Sequence, residues 1–191
     1  MTWRNLRPAA AALLLVAVVA GGRWLYHRPP YGPEALGVES SLTYVTPAEA
    51  AAALGHGVPE PVMRKGDSVV LGRISWRTPP EPLGNGHFLI FLIDKRTTTK
   101  VDFYGGTSPR GTAAIGTGSA SADNEIAERY PWLRGARDPD GGSRLSVGDG
   151  AATPLTFAAF VPARPAIANL MLAIAYRGPD QQLYWAHRLQ G

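Results

Sequence analysis

From Asp67 to the C-terminus, apolar side chains recur at alternate positions in short runs, and each run stops at a cluster of Gly, Pro, Asn or Asp. A period of two places one set of side chains on a single face of an extended strand. Val70, Gly72, Ile74 and Trp76 share one face of the first run, Val69, Leu71 and Arg73 the other, and Thr78-Pro79-Pro80 ends it. Asn85-Gly86 reads as a tight turn. His87–Ile93, HFLIFLI, is apolar throughout, which predicts a central strand covered on both faces. Asp94–Thr97 turns the chain, and Val101 and Phe103 alternate with Asp102 and Tyr104, which predicts a hairpin. Further runs lie at Leu145 and Val147, at Leu155–Val161, at Leu170–Tyr176, and at Leu183–Leu189, where Leu183, Trp185 and Leu189 share a face.

Seven or eight such strands, with turn signals roughly every 8–12 residues, indicate a sandwich or barrel. Gly 22 and Pro 17 in 191 residues supply the punctuation. No long amphipathic helix is available to cover a parallel sheet, which excludes a doubly wound fold. The expectation is a mainly β chain: an antiparallel β-sandwich, immunoglobulin-like or jelly-roll-like, with one or two short helices and an N-terminal transmembrane helix. One short helix is expected at 47–54, where Thr46 caps, Pro47 takes the first position, Glu49 closes a capping box and Gly55 stops it. A second is expected at Asp123–Tyr130, with Asp123, Glu125 and Glu128 on a solvated face.

The N-terminus departs from this pattern. Pro8–Gly22, PAAAALLLVAVVAGG, carries no charge; Arg4 and Arg7 precede it, and Arg23, His27 and Arg28 follow. One reading is a signal peptide cleaved after Ala20, since Val18-Val19-Ala20 offers small residues at the cleavage positions. The other is an uncleaved anchor. Trp3 and Trp24 stand 21 residues apart, roughly 30 Å along a helix, the thickness of a bilayer's hydrocarbon core. Trp3, Arg4, Arg7, Arg23, Trp24 and Tyr26 are then the membrane-interface residues, with aromatics at both headgroup levels and arginines reaching toward phosphates. The lipid bilayer would be contacted through residues 8–26. The chain divides into an anchor or signal segment at 1–28, a Pro-rich linker at 29–39 and an extracytoplasmic sandwich at 40–191. The expected location is a bacterial-type inner membrane, crossed once with the C-terminal domain outside, or the periplasm after cleavage.

The net charge of +4 does not indicate nucleic acid. Arg4, Arg7, Arg23 and Arg28 belong to the N-terminal segment, and the remaining 15 Lys and Arg balance 15 Asp and Glu. The other arginines are scattered, with no basic run. Tyr44–Gly55, YVTPAEAAAALG, resembles the first helix of excisionase-type DNA-binding modules, but Pro59 and Pro61 stand where a recognition helix would follow. No nucleic-acid partner is expected.

Candidate chemistry is sparse. Zero cysteine removes disulfides, thiolate metal sites and thiol nucleophiles. His56, His87 and His187 are the candidate metal ligands, isolated in sequence and without HExxH spacing. Gly116–Ser121 lacks the lysine of a phosphate loop and the GxSxG of a nucleophile elbow. Asp138-Pro139-Asp140-Gly141 lacks the remaining ligands of a calcium loop. Trp76, Trp132 and Trp185 read as core. No catalytic residue and no cofactor is expected. The leading functional expectation is a binding or assembly module that meets another envelope protein. The alternatives are an envelope hydrolase or metal-handling enzyme using His87, His187 and nearby acids, and a secreted small-ligand-binding protein released by cleavage at Ala20.

Overall fold

In the computed structural model the described residues are 6–26, 30–55, 62–79, 84–109, 111–116, 120–137 and 143–190. Two compact units follow one another, Met1–Pro30 and Tyr31–Gly191.

The first unit holds helix α1, Leu6–Tyr26. Alanine and leucine propagate it. Leu13, Leu14, Leu15, Val16, Val18 and Val19 are each more than 60% exposed. Among the described residues no helix is long and apolar enough to cross a membrane, so the expected transmembrane helix is not met there. Side chains of this helix are described over residues 12–22.

The second unit is mainly β, as the period-two pattern requires. One sheet has the order β1 (Glu39–Val45), β2 (Asp67–Ser75), β9 (Leu155–Pro162), β5 (Asp102–Ser108), β6 (Gly111–Thr112). The other has the order β11 (Leu183–Gln190), β10 (Leu170–Arg177), β3 (His87–Asp94), β8 (Arg144–Gly148), β7 (Ala114–Gly116). All of these pairs are antiparallel. The two-residue β4 (Thr99–Lys100) pairs with the end of β3. The sheets face each other across one apolar core, with Val70, Ile74, Phe103 and Phe157 from the first and Phe88, Ile90, Leu172 and Tyr176 from the second.

Each sheet's outer face is also covered. Helix α3 (Pro47–Leu54) lays Ala50 and Leu54 on Val69 and Ala158 of the first sheet. Its capping box forms as expected, with Glu49 Oε2 accepting from Thr46 N at 2.7 Å and Thr46 Oγ1 accepting from Glu49 N at 3.3 Å. Helix α4 (Ala120–Arg129) and a 3-10 stretch at Pro131–Arg137 set Ile126, Leu133 and Ala136 on Leu89, Phe91 and Ile93 of the second sheet. This double cover explains why residues 88–93, FLIFLI, carry no polar side chain on either face.

Three expectations change. The hairpin at 94–104 pairs through only two residues, Ile93 with Lys100 and Asp94 with Thr99. At Val101 the chain leaves the second sheet and continues as β5 beside β9 in the first. Val101 and Phe103 still point into the common core, so the apolar alternation was real and only the partner differs. In β11 the pairing slips between Tyr176–Trp185 and Arg177–Leu183. Leu183 therefore joins the outer cluster and Tyr184 the inner one with Trp185, rather than Leu183, Trp185 and Leu189 sharing a face.

The third change concerns the stretch 29–39, read as linker. Tyr31 is 6% exposed and Leu36, in the short helix α2 (Pro33–Leu36), is fully buried. Tyr31 O accepts a hydrogen bond from Trp185 Nε1 at 3.0 Å, and its ring lies 5.3 Å from that of Tyr176. From Tyr31 onward this segment is part of the sandwich.

Candidate functional site

A cleft of about 740 Å³ opens at the end of the sandwich where β3 and β9 finish and β2 and β5 begin. The register fixes its walls: Asp67 stands opposite Pro162, and Asp102 opposite Phe160. Between them sits the turn after β3, shaped by its own side chain. Asp94 accepts from Arg96 N at 2.9 Å, while Thr98 N donates to Asp94 O at 2.8 Å. Thr98 takes a left-handed φ of 59° to close the turn.

Asp94 also accepts from Arg96 Nη2 at 2.6 Å and from Arg96 Nε at 3.1 and 3.2 Å. Burial alone pushes this carboxyl up, but the side-chain and backbone hydrogen bonds from Arg96 and its charge outweigh burial and hold it below its ordinary value. Arg96 Nη2 reaches Pro162 O at 3.3 Å, tying the turn to the end of β9. Thr97 and Thr99 hydroxyls bond each other at 2.7 Å.

Lys100, one of the lining residues, also belongs to a buried ion cluster. Lys100 Nζ donates to Asp123 Oδ2 at 2.9 Å, and Arg144 Nη1 donates to Asp123 Oδ1. Their side chains are 4%, 5% and 15% exposed for Lys100, Asp123 and Arg144. Asp123, expected on a solvated face, is thus a buried anion that joins α4 to β4 and β8. Ser143 Oγ, buried beside them, accepts from Phe103 N at 2.7 Å. On the other side of the turn Tyr44 Oη donates to Pro165 O at 2.6 Å beneath the Arg164 guanidinium.

The residues singled out from sequence do not come together. His56 lies outside the described residues. His87 pairs with Arg177 and shares the outer face of the second sheet with Leu89 and Phe91. His187 pairs with Ile174, whose side chain points to the inner core. The two histidines are therefore on opposite faces, two strands and three residue pairs apart, roughly 14 Å by strand spacing. That is far beyond a shared metal ion's reach, and the enzyme alternative built on His87 and His187 loses its geometry. Among the described residues no group of three metal-ligating side chains occurs. Trp3 and Arg4 lie outside the described residues, and Arg7, Arg23, Trp24 and Tyr26 fall within α1 where side chains are not described. Trp76 and Trp185 are core, 5% and 6% exposed. Trp132 is half-buried under the Arg188 guanidinium, 5.2 Å from its ring.

Sequence reasoning missed the cleft. The Asp94-x-Arg96 spacing is a local turn signal that was available. The Lys100–Asp123–Arg144 cluster had none, because its members lie 23 and 21 residues apart on three elements. No protein-family model, no curated protein and no solved structure matches this chain.

Proposed function

We propose that this chain is a binding or assembly module, an immunoglobulin-like sandwich displayed outside the cytoplasm and held at a membrane by its N-terminal helix. The observation that carries the reading is the cleft, where Asp94 and Arg96 fix each other and Lys100 is held by Asp123 of α4. Charged groups locked in this way make a shaped, preorganised surface, whereas general acid–base catalysis needs a titrating group poised toward a substrate.

The strand order supports the immunoglobulin-like alternative over the jelly roll. The orders β1-β2-β9-β5 and β11-β10-β3 correspond to A-B-E-D and G-F-C of a constant-type immunoglobulin sandwich. Residues 109–154 are then an insertion between the fourth and fifth strands, and they supply α4 and the Ser143 that lines the cleft. Since one sandwich hosts many functions, strand order alone assigns none. The membrane reading is supported by the charge-free run 8–22 between arginines and by the exposed apolar side chains of α1. The partner expected is another envelope protein.

Fractionation of cells expressing the full chain with a C-terminal tag tests this. The reading expects the tag in the membrane pellet after a carbonate wash, accessible to protease from the outer side, with the N-terminus intact. Recovery in the soluble cytoplasm would overturn it, and a mature chain beginning at Gly21 would leave the secreted ligand-binding alternative.

A further inference from the structure

We propose that the open half of the β11 edge takes up an extended segment of a partner protein as an added strand, one that carries a carboxylate two residues from an apolar side chain. This names the partner chemistry of the binding-module reading, on which it rests.

β11 stands at the end of the second sheet, and among the described residues its strand partner is β10. In antiparallel pairing alternate residues turn both backbone groups away from the neighbouring strand. An edge strand offers those groups to another chain. The first half of β11 is closed. The Arg129 guanidinium donates to Leu183 O, and to Tyr184 O at 3.1 Å, while Trp185 Nε1 donates to Tyr31 O. The second half is open, with His187 and Arg188 exposed.

A pocket of about 290 Å³ lies over this open half, lined by Trp132, Ala186, His187 and Arg188. Ala186 and Arg188 stand opposite Ala175 and Ala173 of the outer cluster, so both side chains are on the outer face. The Arg188 guanidinium lies 5.2 Å from the Trp132 ring centre. Trp132 meets Tyr130 edge-on at 6.0 Å, and Arg129 lies over Tyr130 at 5.8 Å. This ladder orders Arg188 before any ligand arrives. Stacking occupies the face of a guanidinium and leaves its N–H edge to grip a carboxylate at two points. Nearby acids of α4 are engaged elsewhere, Asp123 by Lys100 and Arg144, and Glu125 by Arg177.

Side chains of an added strand alternate between faces. The one opposite Ala186 therefore enters the pocket against Trp132, where an apolar group fits. The next on that face, two residues along, meets Arg188, where a carboxylate fits. A second copy fits less well. Its own β11, paired antiparallel in a continuous sheet, would bring a second Arg188 to the same face, and like charges across strands repel.

Binding of labelled, end-blocked heptapeptides to the full chain in detergent tests this. Thr-Val-Thr-Glu-Thr-Val-Thr reads the same in both directions and so suits either strand orientation. It should bind saturably, and Gln in place of Glu should weaken it about tenfold. Methylating every second backbone nitrogen should abolish binding in one phase and spare it in the other. Arg188→Glu, an exposed change that should leave the urea midpoint unmoved, should lose the Glu peptide and gain its Lys counterpart. Hydrogen exchange should show new protection at residues 186–189 on binding. No saturable binding, equal affinity for the Glu and Lys peptides, or affinity unmoved in Arg188→Glu would overturn the proposal. Protection of 186–189 in a peptide-free dimer would assign the edge to a second copy and overturn it, as would tighter binding of a single-stranded oligonucleotide than of the peptide. A chain that passes the fractionation test yet binds no such peptide would leave the module reading standing without this partner.

Discussion

At Asp94 two opposing effects act on one carboxyl. Burial raises its proton affinity, and Arg96 lowers it further than burial raises it. A carboxyl whose folded pKa is depressed adds stability that is present above its unfolded value, near 4, and lost as pH falls through the lower folded value. Urea unfolding at pH 7 should show Asp94→Asn destabilised by about 1–3 kcal/mol, and the difference from the parent should shrink as pH is lowered below about 4. An unchanged difference at pH 2.5 would mean that charge plays no part. Gly72 gives a second prediction at this scale. It stands opposite Phe157 in the β2–β9 register, and a Cβ there would fall 2.0 Å from Phe157 Cζ. Gly72→Ala should cost about 2–3 kcal/mol by overpacking, seen as a lower midpoint in a denaturant titration. Residues were read unevenly from sequence. Trp76 was legible as core because period two determines facing, and Phe88 because its whole run is apolar. Asp123 was not, because an acidic residue on a short helix reads as solvated until its partners, on strands far away in the chain, are known.

Among the elements, α3 was legible in full, because its start is written in adjacent residues. Thr46→Ala removes the cap and should cost about 1 kcal/mol, checked by thermal unfolding; a variant as stable as the parent would show that packing of Ala50 and Leu54 alone holds the helix. Strand positions were equally legible, since alternation is local. Strand partners were not. Nothing in Lys100–Tyr104 says that the chain pairs for two residues with β3 and then joins the other sheet, because Val101 and Phe103 face the same core in either case. The slip in β11 was hidden for a similar reason: Leu183, Tyr184 and Trp185 are all apolar enough to be buried, so composition could not tell which one the irregularity turns inward.

For the molecule as a whole, the boundary of the folded unit moved. A Pro-rich stretch reads as linker, yet Tyr31 and Leu36 fill the inner core. Leu36→Ala should destabilise the sandwich by about 2–5 kcal/mol. A chain beginning at Tyr31 should melt cooperatively by near-ultraviolet circular dichroism, while one beginning at Ser40 should lose its midpoint or melt far lower. Equal midpoints for the two would restore the linker. The cleft belongs to this scale too, being assembled from β2, β3, β4, β5, β9 and the segment before β8, and no window of sequence contains it. The hydrogen bond from Trp185 Nε1 to Tyr31 O carries a mechanical consequence. Any tension transmitted along the chain from residues 1–30 reaches the sandwich at Tyr31, so that bond and the tyrosine rings beside it form the joint that must shear before a strand is pulled from either sheet.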